Sequence, residues 1–208
     1  MERGRHDELV ARAHYASTHE IDVLDQADWR RADAVIATMF GIPDAQHDDA
    51  FRAIESVYNS DGWVPIAGVT RALLRLQSSG MPLAVVSNAG GTMEQQLLSH
   101  RICAVGPGDE TGEAAEVAEV AEVAIVVDSH VVGVEKPDPA IFEIALAALG
   151  RDATNAVYLG DTVYFDVEGA LAAGLSPVHV DPYGFCAANG HPHVASLEEF
   201  VANLGVGV

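Results

Sequence analysis

Along the first 60 residues the apolar positions recur with helical spacing and never alternate. Over residues 27–40, Trp29, Ala32, Val35, Ile36 and Met39 share one helix face, with Asp25 or Asp28 near the start and Gly41 and Pro43 at the end. Over 48–58, Phe51, Ile54, Val57 and Tyr58 form a second amphipathic stripe. The turn cluster Asn59-Ser60-Asp61-Gly62 ends this regime. Beyond it the pattern predicts a helix over 68–79, a strand over 82–87, a helix over 91–99, a strand over 124–128 and an extended stretch over 131–134. A helix over 138–149, a strand over 156–160, a helix over 163–173, a strand over 177–181 and a helix over 196–204 follow.

The strand segments Leu-Ala-Val-Val, Ile-Val-Val and Val-Tyr-Leu are apolar on both faces, so helices must cover both sides of their sheet. The expected fold is therefore α/β, a doubly wound parallel sheet over 61–208 preceded by a helical region over 1–60. Residues 115–123 read Ala-Glu-Val three times, after an acidic, glycine-rich turn at 106–112. The expectation for this repeat is a surface loop or ragged helix without a role.

Composition narrows the partners. Of 208 residues, 49% are hydrophobic and 20% charged, as in a globular domain. A formal net charge of −20 argues against nucleic acid and anionic membranes as partners, since like charge repels them. No apolar run approaches the length of a membrane span and no signal-type segment opens the chain, so a soluble, cytoplasmic protein is expected. The two cysteines, Cys103 and Cys186, read as buried thiols in a reducing compartment.

An acidic protein that binds an anionic substrate must invert the sign of its field locally, with a cation, a lysine or backbone N–H groups. Lys136 is the single lysine; the other ten cationic residues are arginine. It stands in Gly-Val-Glu-Lys-Pro-Asp-Pro-Ala-Ile-Phe (133–142), where Asp138 as N-cap and Pro139 at the first helical position account for themselves but not for the lysine. Ser87-Asn88-Ala89-Gly90-Gly91 follows a strand, where a hydroxyl and glycine-flanked N–H groups can hold phosphate oxygens. Gly160-Asp161 closes another strand and Asp166 lies five residues on; two carboxylates that close call for a cation such as Mg²⁺. His191 and His193, split by Pro192, read as a loop turn, and Arg30 and Arg31 as solvated.

Taken together and in order, these motifs resemble the haloacid dehalogenase-like (HAD) hydrolase superfamily, in its phosphoglycolate phosphatase-like branch. Ser87 with Asn88 matches the second family motif. Lys136 in its ten-residue context matches the third, and Gly160-Asp161-Thr162 through Asp166, continuing Val-Glu-Gly-Ala-Leu-Ala-Ala-Gly-Leu (167–175), the fourth. The resemblance covers about 61–208 and implies a HAD-like Rossmannoid core, with 1–60 as part of a helical cap. It implies Ser87, Asn88 and Lys136 as phosphate-binding, Lys136 also as catalytic, Asp161 and Asp166 as metal residues, Mg²⁺ as cofactor and a small phosphorylated metabolite as substrate. No motif speaks to oligomeric state.

The first family motif, Asp-x-Asp on the central strand, supplies nucleophile and general acid/base. This chain has no Asp-x-Asp; Asp22/Asp25 and Asp25/Asp28 have the wrong spacing and follow no predicted strand. The first central strand, which in the family lies between the strands carrying Ser87 and Asp161, is thus expected to be missing. Either the N-terminal residues fill its slot or the reading frame begins late, and the second is the expectation. A Mg²⁺-dependent phosphatase that turns over little as this chain is the leading reading. A haloacid dehalogenase and a non-catalytic phosphate-binding or scaffold protein are the alternatives.

Overall fold

The computed structural model describes residues 9–10, 12–20, 29–58, 64–106, 120–187 and 190–205. The amphipathic segments of the N-terminal part form helices α1 (residues 12–20), α2 (Trp29–Met39) and α3 (His47–Tyr58), and α2 packs on α3. Gly41, in the left-handed region at φ 72°, donates to the Thr38 carbonyl and ends α2 as expected. Asp25 and Asp28 lie outside the described residues. Among the described residues no strand precedes residue 60.

From residue 64 onward helices and strands alternate: α4 (Val69–Ser78), β1 (Val85–Ser87), α5 (Met93–Ser99), β2 (Cys103–Val105), β3 (Ala121–Val123), β4 (Val126–Asp128) and α6 (Ser129–Val132). Then come α7 (Pro139–Leu149), β5 (Val157–Gly160), a π-helical turn Val163–Glu168 running into α8 (Gly169–Ala172), β6 (Ser176–Val180), β7 (His193–Val194) and α9 (Leu197–Asn203). Among the described residues every strand pair is parallel: β1 with β4, β2 with β3, and β6 between β5 and β7. Ser87 stands in register with Asp128, and Gly160 with His179. The parallel α/β architecture is the one the two-sided apolar strands require.

The core is built on α7. Asp138 accepts from the Ala140 N–H at 2.9 Å as N-cap, and Gly150 closes the helix at φ 59°. Its Ile141, Phe142, Ala145 and Leu146 are buried with Val127, Ala170 and Leu175, and the Phe142 ring meets Tyr158 edge-on at 4.9 Å. Ala72 and Leu76 of α4 pack with Val201 of α9 in a second cluster.

Three sequence expectations need correction. Residues 129–132 are a helical turn and not extended, because the Asp128 carboxylate accepts from the His130 N–H and caps a turn that Gly133 closes at φ 74°. The last Ala-Glu-Val repeat is strand β3, with Ala121 and Val123 fully buried against Cys103; packing, not composition, gives it a role. The first two repeats lie outside the described residues, Val120 apart. A further strand, β7, runs through His193 where a loop turn was expected.

Among the described residues the strands form three separate parallel sheets, β1–β4, β2–β3 and β5–β6–β7, so that β1 is paired only with β4 and β5 only with β6. Across the gap the Tyr158 hydroxyl lies 3.3 Å from the Val86 carbonyl. At the end of β5 the chain turns so that Asp166 folds back over Gly160. Its Oδ2 accepts from the Asp161 N–H at 3.1 Å, the Thr162 N–H at 3.0 Å and the Thr162 hydroxyl at 2.8 Å. A Cβ on residue 160 would overlap the Asp166 carboxyl, so this approach requires glycine.

Gly160→Ala is accordingly expected to destabilise the fold by about 1–3 kcal/mol, as an overpacked site does, read as a lower urea midpoint at unchanged slope. Burial raises the Cys103 thiol from 9.0 to about 11. The folded state therefore favours the neutral thiol: this contribution is complete below the unfolded value of 9.0 and is lost as pH rises toward about 11. Melts between pH 8 and 11 should show a steeper alkaline loss for the native chain than for Cys103→Ala, and thiol reagents at pH 8 should reach Cys103 only after unfolding.

Candidate functional site

In an open parallel sheet, loops leaving the carboxyl ends of strands converge on one rim, and that rim collects the side chains singled out in the sequence. Ser87 is the last residue of β1, half-buried, and Asp161 is the first residue past β5. Lys136 comes to them from the loop before α7. Its Nζ donates to Asp166 Oδ1 at 2.7 Å and to the Tyr158 hydroxyl at 3.2 Å, with the Lys136 side chain 13% exposed and that of Asp166 4%. Tyr158 Oη also lies 3.0 Å from Asp166 Oδ1. Burial first, then the Asp166 charge and hydrogen bond, push the Tyr158 phenol well above its ordinary value, so it stays neutral.

Asp166 thus has hydrogen-bond partners on both carboxylate oxygens and is turned inward. Its observed role is to anchor Lys136 and to hold the turn around Asp161. Asp161 differs: its carboxylate is 38% exposed and accepts from, or pairs with, His14 Nε2 of α1 at 3.3 Å. Burial raises this carboxyl, but the His14 hydrogen bond, the His14 charge and Lys136 outweigh it and hold it below the usual range. Asp161 is of the hard-oxygen type a divalent cation takes, a carboxylate held below the usual range at the edge of the site, while Asp166 already has hydrogen-bond donors on both oxygens.

Asn88 uses its side-chain amide to lock the lysine loop: Nδ2 donates to the Lys136 carbonyl at 3.0 Å and Oδ1 accepts from the Lys136 N–H at 2.8 Å. The loop N–H groups expected to hold phosphate are also engaged within the protein. Ala89 N–H donates to Ser129 Oγ at 3.1 Å, while Gly91 N–H, at 2.9 and 3.0 Å, and Met93 N–H, at 3.2 Å, donate to the buried Asp128 carboxylate. The Ser87–Gly91 loop is therefore a pre-formed shelf held from β4, with Ser87 and Lys136 at its rim.

Sequence reasoning missed Asp128, Ser129, Tyr158 and His14. Asp128-Ser129 at a strand end was a visible signal, since a carboxylate there can cap two following elements. His14 carried none, because its partner is 147 residues away. The helix α1 lies on the core: Tyr15 packs edge-on against Tyr183 at 5.6 Å, and Ala13, Ser17 and Thr18 are buried. Beside it, His179, Cys186, His191 and His193 converge, where the sequence suggested a turn and a plain buried thiol. Burial lowers both His179 and His191 from the ordinary histidine value and favours their neutral forms. Among the described residues no helix is long and apolar enough to cross a membrane.

A family model described as haloacid dehalogenase-like hydrolase matches residues 5–174. The phosphoserine phosphatase of Thermus thermophilus is 44% identical over 57 residues, 27% of this chain and 23% of that protein. The mouse haloacid dehalogenase-like hydrolase domain-containing protein 3 is 27% identical over 185 residues, 86% of this chain and 62% of that protein. The chain thus spans less than two thirds of either relative's length. The crystal structure of the HAD phosphatase from Thermococcus onnurineus shares the fold with a TM-score of 0.56 at 18% identity, over 90% of this chain and 78% of that one. With the parallel α/β core, the strand-end rim and a family match over most of its length, the chain belongs to the haloacid dehalogenase-like hydrolase family.

Proposed function

We propose that this chain carries the phosphate-binding and cation-binding part of a Mg²⁺-dependent phosphatase for a small phosphorylated metabolite. The observation that carries the reading is the largely but not fully buried Lys136 ammonium, fixed at 2.7 Å by Asp166 beside the half-exposed Asp161. In a chain of net charge −20 this lysine supplies the local positive field that a phosphoryl group needs. Phosphatases among the relatives support the same class.

Each residue then has a separate task. Lys136 neutralises the non-bridging oxygens as charge shifts during transfer, and the Ser87 hydroxyl donates to one of them. Asn88 positions Lys136 through its backbone, and Asp166 holds the ammonium at the required height. Asp161 would hold Mg²⁺, which supplies charge neutralisation on the phosphoryl oxygens. Positioning and electrostatics of this kind account for most of the barrier reduction in phosphoryl transfer. The nucleophilic aspartate that the family resemblance implies has no Asp-x-Asp in these 208 residues. Phosphomonoester turnover by this chain alone is therefore expected to be negligible.

One contact favours a second reading, a non-catalytic phosphate-binding protein. His14 pairs with the carboxylate that would otherwise hold the cation. His14→Ala separates the two: gain of Mg²⁺ binding without any turnover in a longer form of the protein supports the non-catalytic reading.

The decisive assay is hydrolysis of p-nitrophenyl phosphate with and without Mg²⁺, comparing this chain with a form extended to the next in-frame upstream start. Activity confined to the extended form and abolished by chelator is the expected result; robust turnover by the 208 residues overturns it. In the active form Lys136→Met should lower kcat by about 10²–10³-fold, as loss of one charge-stabilising donor does. Asp166→Ala leaves the Lys136 ammonium buried without its carboxylate, and a loss of about 3–5 kcal/mol in denaturant unfolding is expected.

A further inference from the structure

Three imidazoles and a thiol meet at the β6–β7 side of the sheet, next to Asp161 and not part of the Lys136–Asp166 pair. His179 comes from β6, His193 from β7, and Cys186 and His191 from the connection between them. Their ligand atoms all lie within 4.8 Å of one another. His191 Nε2 is 3.3 Å from His179 Nδ1 and 3.7 Å from Cys186 Sγ. In a tetrahedral zinc site, with Zn–N of about 2.0–2.1 Å and Zn–S of about 2.3 Å, neighbouring nitrogens stand about 3.3–3.4 Å apart and nitrogen and sulfur about 3.5–3.6 Å. Both of these separations agree with that frame to about 0.2 Å, and the remaining ligand atoms lie within 4.8 Å.

The tautomer is fixed from outside the cluster. His179 Nε2 lies 3.2 Å from the Asp161 backbone carbonyl, which can only accept, so Nε2 carries the proton. Nδ1 therefore presents its lone pair to the cluster. A ligating histidine whose other nitrogen donates to a backbone carbonyl is the usual outer-shell arrangement around a metal. A simple His–His hydrogen bond would explain the 3.3 Å contact between two rings. It leaves unexplained why a third imidazole, with its ring centroid 4.5 Å from His191 and 5.2 Å from His179, and a thiol converge on the same point.

The geometry points to a site for zinc or a similar divalent transition metal, formed by His179, Cys186, His191 and His193. On binding, three neutral imidazoles each donate a lone pair, and the Cys186 thiol releases its proton to solvent and ligates as thiolate. Four protein ligands fill a tetrahedral shell and leave no open position, the mark of a structural ion. Soft sulfur and imidazole donors also separate it from the hard carboxylate of Asp161. The ion would clamp the β6–β7 connection to the sheet edge and, through the His179 hydrogen bond, brace the Asp161 backbone. The inference stands independently of the phosphatase reading.

The test uses the full 208-residue chain without a histidine tag. Elemental analysis should find about one zinc ion per chain, retained through gel filtration and removed by a strong chelator. Replacement by Co²⁺ should give the intense visible bands of a tetrahedral ion and a near-ultraviolet thiolate-to-cobalt band. Cys186→Ser should lose the thiolate band, His191→Gln and His193→Gln should weaken Co²⁺ binding by more than roughly 100-fold, and Asp161→Asn should retain the band. Because Cys186→Ser could fail to fold, the native chain is also melted with and without Zn²⁺, and a rise in Tm with Zn²⁺ is expected. A folded native chain with neither bound zinc nor a thiolate band at saturating Co²⁺ overturns the proposal, as does a band that persists in folded Cys186→Ser.

Discussion

The ion pair between Lys136 and Asp166 is the contact on which the rest of the rim depends. A buried ammonium is tolerated only with an opposing charge and filled hydrogen bonds. Asp166 meets that demand because its other oxygen is held by the Asp161 and Thr162 N–H groups and the Thr162 hydroxyl. That arrangement in turn needs the missing Cβ of Gly160. On the far side, Asn88 ties the lysine backbone to the end of β1. One carboxylate thus joins β5, the α7 loop and the Ser87 loop into a single site.

Tyr158 extends the same network across the break in the sheet. Its hydroxyl reaches Val86 on β1, and its ring packs on Phe142 in the α7 core. Unpaired strand edges inside a protein leave N–H and C=O groups to be satisfied. A side chain that spans from one edge to the other, tied to the charged pair, is one device that holds the two halves in place. It also links the positive charge at the rim to the apolar packing beneath it.

Acidity and site chemistry are reconciled at short range. The excess carboxylates are distributed over a surface where screening acts within about 8 Å, so they set little of the field at the rim. There the groups that matter are one ammonium, one half-exposed carboxylate and one histidine. Much of the negative charge that does come close, at Asp128 and Asp166, is already matched by N–H donors or by Lys136.

Much of the local grammar was legible, though the capped turn at 129–132 and the strands β3 and β7 were not. The two-sided apolar strands, the Asp138-Pro139 start and Gly150 stop of α7, and the order of Ser87, Lys136 and Asp161 all follow from short-range steric and hydrogen-bonding rules, and these survive in the folded protein. The sequence alone determined the parallel α/β layer and the order in which Ser87, Lys136 and Asp161 follow its strands. Only the tertiary structure decided that Asp166 faces inward to Lys136, that Asp128 captures the loop N–H groups, and that a third Ala-Glu-Val repeat becomes a buried strand. It alone brought His14 to Asp161, and His179 to Cys186, His191 and His193. The reason is physical: hydrogen bonding and ligand convergence depend on three-dimensional approach between segments far apart in the chain, and no periodicity in one segment encodes the position of another.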